Sequence, residues 1–456
     1  MKFILLCMVG ILPVVSRAQT PPLPAALPED FFPGLRAILN QAMKQSPQMI
    51  GHDIDLAAQE GNRYQQAAAR WPSLSSSIAY AYNQSTVASN SAANTSNGGV
   101  NFGFTLTQPL YHWGDLQAQT DIAHLQIKIS QRQYADAYRQ LAATLRSQYL
   151  SLIQQKVQLR NSRFALGQVK TSIAAVEERF KAGQATQDEI TNAHLQLEET
   201  NLAIDRAVEG FAYSKRLFLL TAGLAELDDD SIPDEIPAPV YSPDTTAALL
   251  QDFARDGLNR TLTAQMNEYD IEKSDLNYKV ARHRLYPRFD MQLGVAEQKQ
   301  TNASNSAISQ TNVLSDYIGV GVSWSLFDGF ATRGAKLAAL ANKRAAELKR
   351  QNYLDQTLAQ ARDLEQQVEF SSRALAIAEK RLQMNAESLQ RVRDNFKLGL
   401  SSQSDVDQAT SSFYQWQAAA FGARADFFSR WCDYLSLLGV DPVLNNLPAS
   451  FIGNVK

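Results

Sequence analysis

The chain has 456 residues, 45% of them hydrophobic, and a formal net charge of −3. A chain of that length buries a sizeable core, and its near-neutral, slightly acidic balance excludes nucleic acid as a partner. At the N-terminus come Met1-Lys2, an apolar run from Phe3 to Val15, and Ser16-Arg17-Ala18. These make a charged start, a short hydrophobic stretch and a small-residue cleavage site, so residues 1–18 read as a secretory signal cut after Ala18. Cys7 lies inside that stretch and not just after a cleavage site, so no lipid anchor is read there. The exported chain keeps only Cys432, between Trp431 and Tyr434 on a predicted helix, and makes no internal disulfide. A buried, inert thiol is the expected role. No later segment reaches the roughly 18 apolar residues of a membrane helix. If the exported chain enters a membrane, it does so as strands.

Residues 19–34 carry Pro21, Pro22, Pro24, Pro28 and Pro33 and predict an extended arm. A helix is predicted from about Leu35 to Arg70, with Pro47 as a break point near its start, and Trp71-Pro72 ends it. Two alternating stretches follow, carrying Ile78, Tyr80 and Tyr82, then Val100, Phe102, Phe104 and Leu106. Period-two alternation with aromatic residues, joined by a Ser/Asn/Gly-rich loop, predicts a strand hairpin over about 73–111. From Asp115 the chain runs to Lys181 without proline. A spacing of seven recurs as Tyr138, Leu145, Leu152, Leu159, Leu166, Ile173 and Phe180. Such a repeat predicts a supercoiling helix about 100 Å long. Gly183 interrupts it at a tip over about 181–188, and a return helix carries Ile190, Leu197, Ile204, Phe211 and Phe218 to Leu224.

Residues 225–248 hold seven carboxylates with Glu226 as the first, four prolines and no basic residue, and read as a solvated acidic linker. A calcium site at Asp228-Asp229-Asp230 is a weaker reading of the same run. The first pattern then returns. Gly183 and Gly399 lie 216 residues apart (399 minus 183), and the heptad positions become Leu354, Ala361, Val368, Leu375, Leu382, Leu389 and Phe396. Val406, Phe413, Ala420, Phe427 and Tyr434 form the return. Trp71-Pro72 recurs as Tyr286-Pro287, a shift of 215, ahead of a second strand hairpin over about 288–328. The strands are of the length, about ten residues, that crosses a bilayer when tilted. The chain is a tandem duplication, with repeats at 35–224 and 249–440, a second tip at about 397–404 and an irregular tail at 441–456.

Residues with catalytic chemistry form no constellation. His52, His112, His124, His194 and His283 have no metal-ligand spacing, and no glycine-rich phosphate loop or nucleophile elbow occurs. No enzyme activity, cofactor or metal is expected. The tips carry the remaining signal. Phe180-Lys181-Ala182-Gly183-Gln184 with Asp188 and Glu189 matches Phe396-Lys397-Leu398-Gly399-Leu400-Ser401 with Asp405 and Asp407. Carboxylates at the start of a return helix stabilise its N-terminus by about 0.3–1 kcal/mol, which is the plain structural reading.

The order helix, strand hairpin, long helix, tip and return helix, given twice, resembles the TolC-like outer-membrane efflux channels. The resemblance covers nearly the whole mature chain. It is carried by Trp71-Pro72-Ser73-Leu74 and Tyr286-Pro287-Arg288-Phe289, by Gln108-Pro109-Leu110-Tyr111 and Ser325-Leu326-Phe327-Asp328-Gly329, and by both tips. It implies a mainly helical fold with four membrane strands per chain, and a homotrimer that closes a 12-stranded barrel and a periplasmic helical tunnel. It further implies an exit duct in the outer membrane, in contact with its lipid and extending into the periplasm. Such a duct serves tripartite efflux or type I secretion with a periplasmic adaptor and an inner-membrane transporter. Gly183, Gln184, Gly399, Leu400 and Ser401 would lie at the adaptor contact. Asp405 would line the closing gate with Glu189, Asp188 and Asp407 near it. Two positions depart from the pattern: Ser401 where a basic residue is often found, and Gln408 where a carboxylate is expected. The alternative from a different class is a periplasmic coiled-coil adaptor or scaffold, against which the duplicated hairpin and the alternating strands count.

Overall fold

The computed structural model describes residues 27–87, 93–304 and 307–453. The signal and the first part of the arm lie outside the described residues. Helices α1 (Pro28–Phe31), α2 (Pro33–Gln45) and α3 (Pro47–Ala68) open the first half. Each starts on a proline, whose fixed φ suits a first helical turn and whose missing N–H is not needed there. Residues 28–31 and 33–34 are therefore helical, joined at Phe32, and not the extended continuation of the arm. Leu27 is buried and its N–H donates to Asp30 Oδ2 at 2.9 Å, which pins the segment to the core. The helix expected from 35 to 70 is two helices, split at Ser46-Pro47.

Strands β1 (Ser73–Val87) and β2 (Ala93–Tyr111) follow, then α4 (Asp115–Lys181) and α5 (Gln187–Ala222). In the second half come α6 (Pro243–Asp252), a wide π turn over Phe253–Gly257, a 3-10 turn at Leu258–Arg260 and α7 (Leu262–His283). The counterpart of the helix predicted over 35–70 is thus interrupted as well. Thr261 begins a new helix by accepting from Ala264 N at 3.3 Å. Strands β3 (Arg288–Ser304) and β4 (Ala307–Ser323), then α8 (Ala331–Lys397) and α9 (Gln403–Leu438), repeat the first-half plan. Both α4 and α8 have 67 residues, and both return helices have 36.

The heptad residues Tyr138, Leu145, Leu152, Ala361, Val368, Phe218, Phe427 and Tyr434 are buried between these helices. The core lies midway along α4 and α8 and toward the C-terminal ends of α5 and α9, where these helices meet α2, the linker and the tail. The linker is less solvated than its charge implies. Ile232 and Ile236 are buried, Asp229 pairs with Lys215, and Lys156 donates to the carbonyl of Ile232 at 2.5 Å and pairs with Asp234 at 3.2 Å. Asp228 and Asp229 are used in this local bonding, and among the described residues no cluster suits a metal ion. The tail is not irregular: a 3-10 turn at Pro442–Asn446 and helix α10 (Ala449–Ile452) pack on α4, where Arg132 donates to the Ser450 carbonyl at 2.6 Å.

One ion cluster ties these parts together. Arg146 of α4 is buried and grips Asp441 of the tail at 2.6 and 2.9 Å and Glu29 of α1 at 2.9 Å. Burial works against its charge, but the two carboxylates outweigh it and hold the guanidinium protonated. Cys432 lies in the same region, and burial pushes its thiol up, so it is unreactive.

Candidate functional site

The four strands form one antiparallel meander in the order β1-β2-β3-β4. Ladder partners share a face of the sheet. Leu74 pairs with Leu106, Ile78 with Phe102 and Tyr80 with Val100; Leu106 pairs with Leu293, and Leu293 with Ile318. One face is therefore a continuous apolar surface. It is solvent-exposed in the single chain, with Ile78 and Ile318 each 74% accessible. The other face carries Ser75, Ser77, Asn101, Thr105, Gln292, Gln298 and Ser315 at the alternate positions. This is the alternation of a membrane barrel, apolar to lipid and polar to the lumen. The strands have 15, 19, 17 and 17 residues, longer than the ten expected. The apolar band accounts for only part of each strand, from Leu74 to Tyr82 on β1 and Phe289 to Val295 on β3. Beyond it the same face turns polar, with Glu297 and Lys299 paired at 3.2 Å.

At the base of the sheet, two His–Asp contacts cross between the halves. His112 Nε2 lies 2.9 Å from Asp290, and His283 Nδ1 lies 3.1 Å from Asp115. Trp113 Nε1 donates to the Pro287 carbonyl at 2.7 Å and stands edge-on to Tyr111 and Tyr286. This collar joins strands to long helices. Scattered histidines gave no hint of it in sequence. The usable signal was position: His112 directly follows β2, and Asp290 stands near the start of β3.

The tips lie at the far ends of α4 and α8, about 100 Å of helix from the sheet. Gly183 and Gly399 have φ of +71° and +73°, a left-handed conformation that glycine adopts without the Cβ penalty. The turns match bond for bond. Gln184 N donates to Arg179 O at 2.7 Å, and Leu400 N donates to Asn395 O at 2.8 Å. Their surfaces differ. The first presents Ala182 and Gln184, whereas the second presents Leu398 and Leu400, 73% and 74% exposed. Ser401 is next to that surface.

The return helices are capped by Thr186 and Ser402, not by the carboxylates themselves. Asp405 completes a capping box, accepting from Ser402 N and Ser402 Oγ, both at 2.8 Å. The backbone and hydroxyl bonds from Ser402 hold its carboxyl below the ordinary value of 3.8, so it is ionised at neutral pH. Glu189 pairs instead with Arg179 at 3.4 Å. Asp188 is an exposed residue of the first turn of α5. Asp407 accepts from Gln403 at 2.8 Å, and its carbonyl accepts from Gln168 of α4 at 2.8 Å. Each tip thus gathers its own carboxylates at the start of its return helix.

A family model described as outer membrane efflux protein matches residues 38–208 and 258–439, more than half of the chain. No curated protein sequence matches. Among solved structures, a membrane protein from Pseudomonas aeruginosa is similar at 18% identity and a TM-score of 0.65, over 91% of this chain and 97% of that one. The Campylobacter jejuni CmeC outer membrane channel is similar at 15% identity and a TM-score of 0.67, over 93% and 92%. VceC, an outer membrane protein of Vibrio cholerae, is similar at 17% identity and a TM-score of 0.59, over 89% and 96%. Strand hairpin, long helix and tip of both repeats fall inside the matched residues. The chain, an efflux channel seated in the outer membrane and extending into the periplasm, belongs to the outer membrane efflux protein family.

Proposed function

We propose that three copies of the chain assemble into one duct, which carries small molecules or proteins from the periplasm to the exterior. In this reading it is the exit of a tripartite efflux or type I secretion system, coupled to an inner-membrane pump by a periplasmic adaptor. The carrying observation is the four-stranded sheet with an apolar face and, among the described residues, two unpaired edges. Unpaired backbone groups are not tolerated in hydrocarbon, and the smallest closed membrane barrels use eight strands. Four strands must therefore be completed by further strands, and three chains supply twelve. A soluble adaptor or scaffold would not present such a face, which sets that alternative aside.

The adaptor is proposed to dock on the tips, at Gly183, Gln184, Gly399, Leu400 and Ser401. Support comes from the exposed leucines of the second tip. The first tip makes the same turn with Ala182 and Gln184, so Leu398 and Leu400 are not needed to form it. The residues against which Leu400 would ordinarily pack in such a turn are Asn395 and Asp394, which offer no apolar contact. A partner hairpin with apolar side chains at its turn would cover them. Asp405, Asp407, Asp188 and Glu189 are proposed to line the mouth beside that contact. Gly399→Trp should assemble as well as the parent, measured as oligomer yield in membranes, yet lose cross-linking to the adaptor and lose export. Export at the parental rate would remove the tip as the docking surface.

A further inference from the structure

The duplication gives more than the number of copies, because one seam between repeats already exists inside the chain. Strands β2 and β3 meet there, with Leu106 opposite Leu293 and Thr107 opposite Gln292. The two hairpins are equivalent at shifts of 215 for the first strand and 216 for the second. Two observations agree on this. Ser73 opposite Thr107 becomes Arg288 opposite Ser323, and both pairs are present in the ladders. Gln108 donates to the carbonyl of Arg70 at 3.1 Å, and Trp324 donates to the carbonyl of Leu285 at 3.0 Å. Moving 108 by 216 gives 324, and moving 70 by 215 gives 285.

The second half shows what is missing. Strand β2 continues past Thr107 to Tyr111, and in that extension it pairs only with β3, through Pro109–Asp290 and Tyr111–Phe289. Strand β4 stops at Ser323, the equivalent of Thr107. The next residues include Trp324, Leu326 and Phe327, 61%, 74% and 73% exposed. On the other free edge, Trp71 and Leu74 are 72% and 69% exposed. The strand falls short where its counterpart has a partner from the other half.

We infer that β4 of one chain pairs antiparallel with β1 of a second copy in the register of the internal seam, with Val322 opposite the second copy's Ile78. Moving Leu106 forward by 216 gives Val322, and moving Leu293 back by 215 gives Ile78. The same mapping places Val320 opposite Tyr80 and Phe327 opposite Leu74, and it extends β4 through residues 324–327. It also passes a test that a one-residue slip would fail. Val322 and Ile78 both lie on the apolar face, and Ser323 and Ser77 both lie on the polar face. A slip of one would turn one strand's apolar side chains into the lumen.

This inference rests on the multichain reading above, and the test separates the two. In the full-length protein, purified in detergent, Ile78→Cys with Val322→Cys should give oxidant-dependent cross-linked dimers and trimers. Ile78→Cys with Val320→Cys, two residues off on the same face, should give at least tenfold less. The native Cys432 is buried and does not interfere. In the unmodified protein, the backbone amides of residues 324–327 should be protected from hydrogen exchange. An oligomer that cross-links best through Val320, or that leaves 324–327 freely exchanging, overturns the register. A monomer by native mass overturns the multichain reading itself.

Discussion

At the residue scale, the tips show how a plain structural role and a transport role fall on the same side chain. Asp405 holds the capping box with Ser402, and it also places a charge that three copies would gather at the mouth of a tunnel. Like charges in a constriction concentrate cations. Asp405→Asn keeps an oxygen for the Ser402 N–H and removes the charge. In planar bilayers it should lower cation selectivity and weaken block by multivalent cations, with the melting temperature unchanged. If selectivity and block both stay at parental values, Asp405 is only part of a cap. The pH dependence has a definite sign. The carboxyl is held below its unfolded value, so the box is fully formed above that unfolded value and is lost only as pH falls through the lowered one. Selectivity due to Asp405 should therefore persist below about pH 5, where ordinary carboxylates begin to titrate. The glycines and the carboxylates were legible in sequence because a left-handed turn and a helix start constrain residue type. Of their partners, Ser402 stands at capping-box spacing from Asp405, whereas the Glu189–Arg179 pair depends on rotamers that spacing does not fix.

At the element scale, the long helices could be read nearly to the residue. A heptad repeat without proline from Asp115 to Lys181 leaves few alternatives, and α4 spans that range. Short elements were harder, because tertiary contacts decide them. The turn at Pro28–Phe31 and the tail helix α10 have little local signal of their own, and both are held by groups distant in sequence. Arg146 joins α1, α4 and the tail through Glu29 and Asp441. Arg146→Met should strand two buried carboxylates and cost about 3–5 kcal/mol, seen as a lowered thermal midpoint by circular dichroism. Replacing Arg146, Glu29 and Asp441 together by apolar residues should recover most of that loss. A single variant as stable as the parent would show that the cluster holds nothing together. Strand length was misjudged for a related reason. The apolar band sets what crosses the bilayer, but backbone pairing carries the strands well beyond it.

At the scale of the whole molecule, the fold is a duplicated unit whose second copy is left with an open flank. In the first half, the collar residues His112 and Trp113 are covered by Asp290 and the Pro287 carbonyl. In the second half, Phe327 and Phe330 remain exposed. The same asymmetry runs along the sheet, where β2 has neighbours on both sides while β1 and β4 each have one. Sequence alone predicted the shortage of strands, since only four could be counted. It could not show the seam, because register is a property of paired backbones. The central claim is that one chain is a fraction of a shared barrel. Its most direct test is the native mass of the detergent-solubilised protein, taken together with its strand content by circular dichroism. Three chains per particle is the predicted result; a stable monomer with its strands intact would contradict the account.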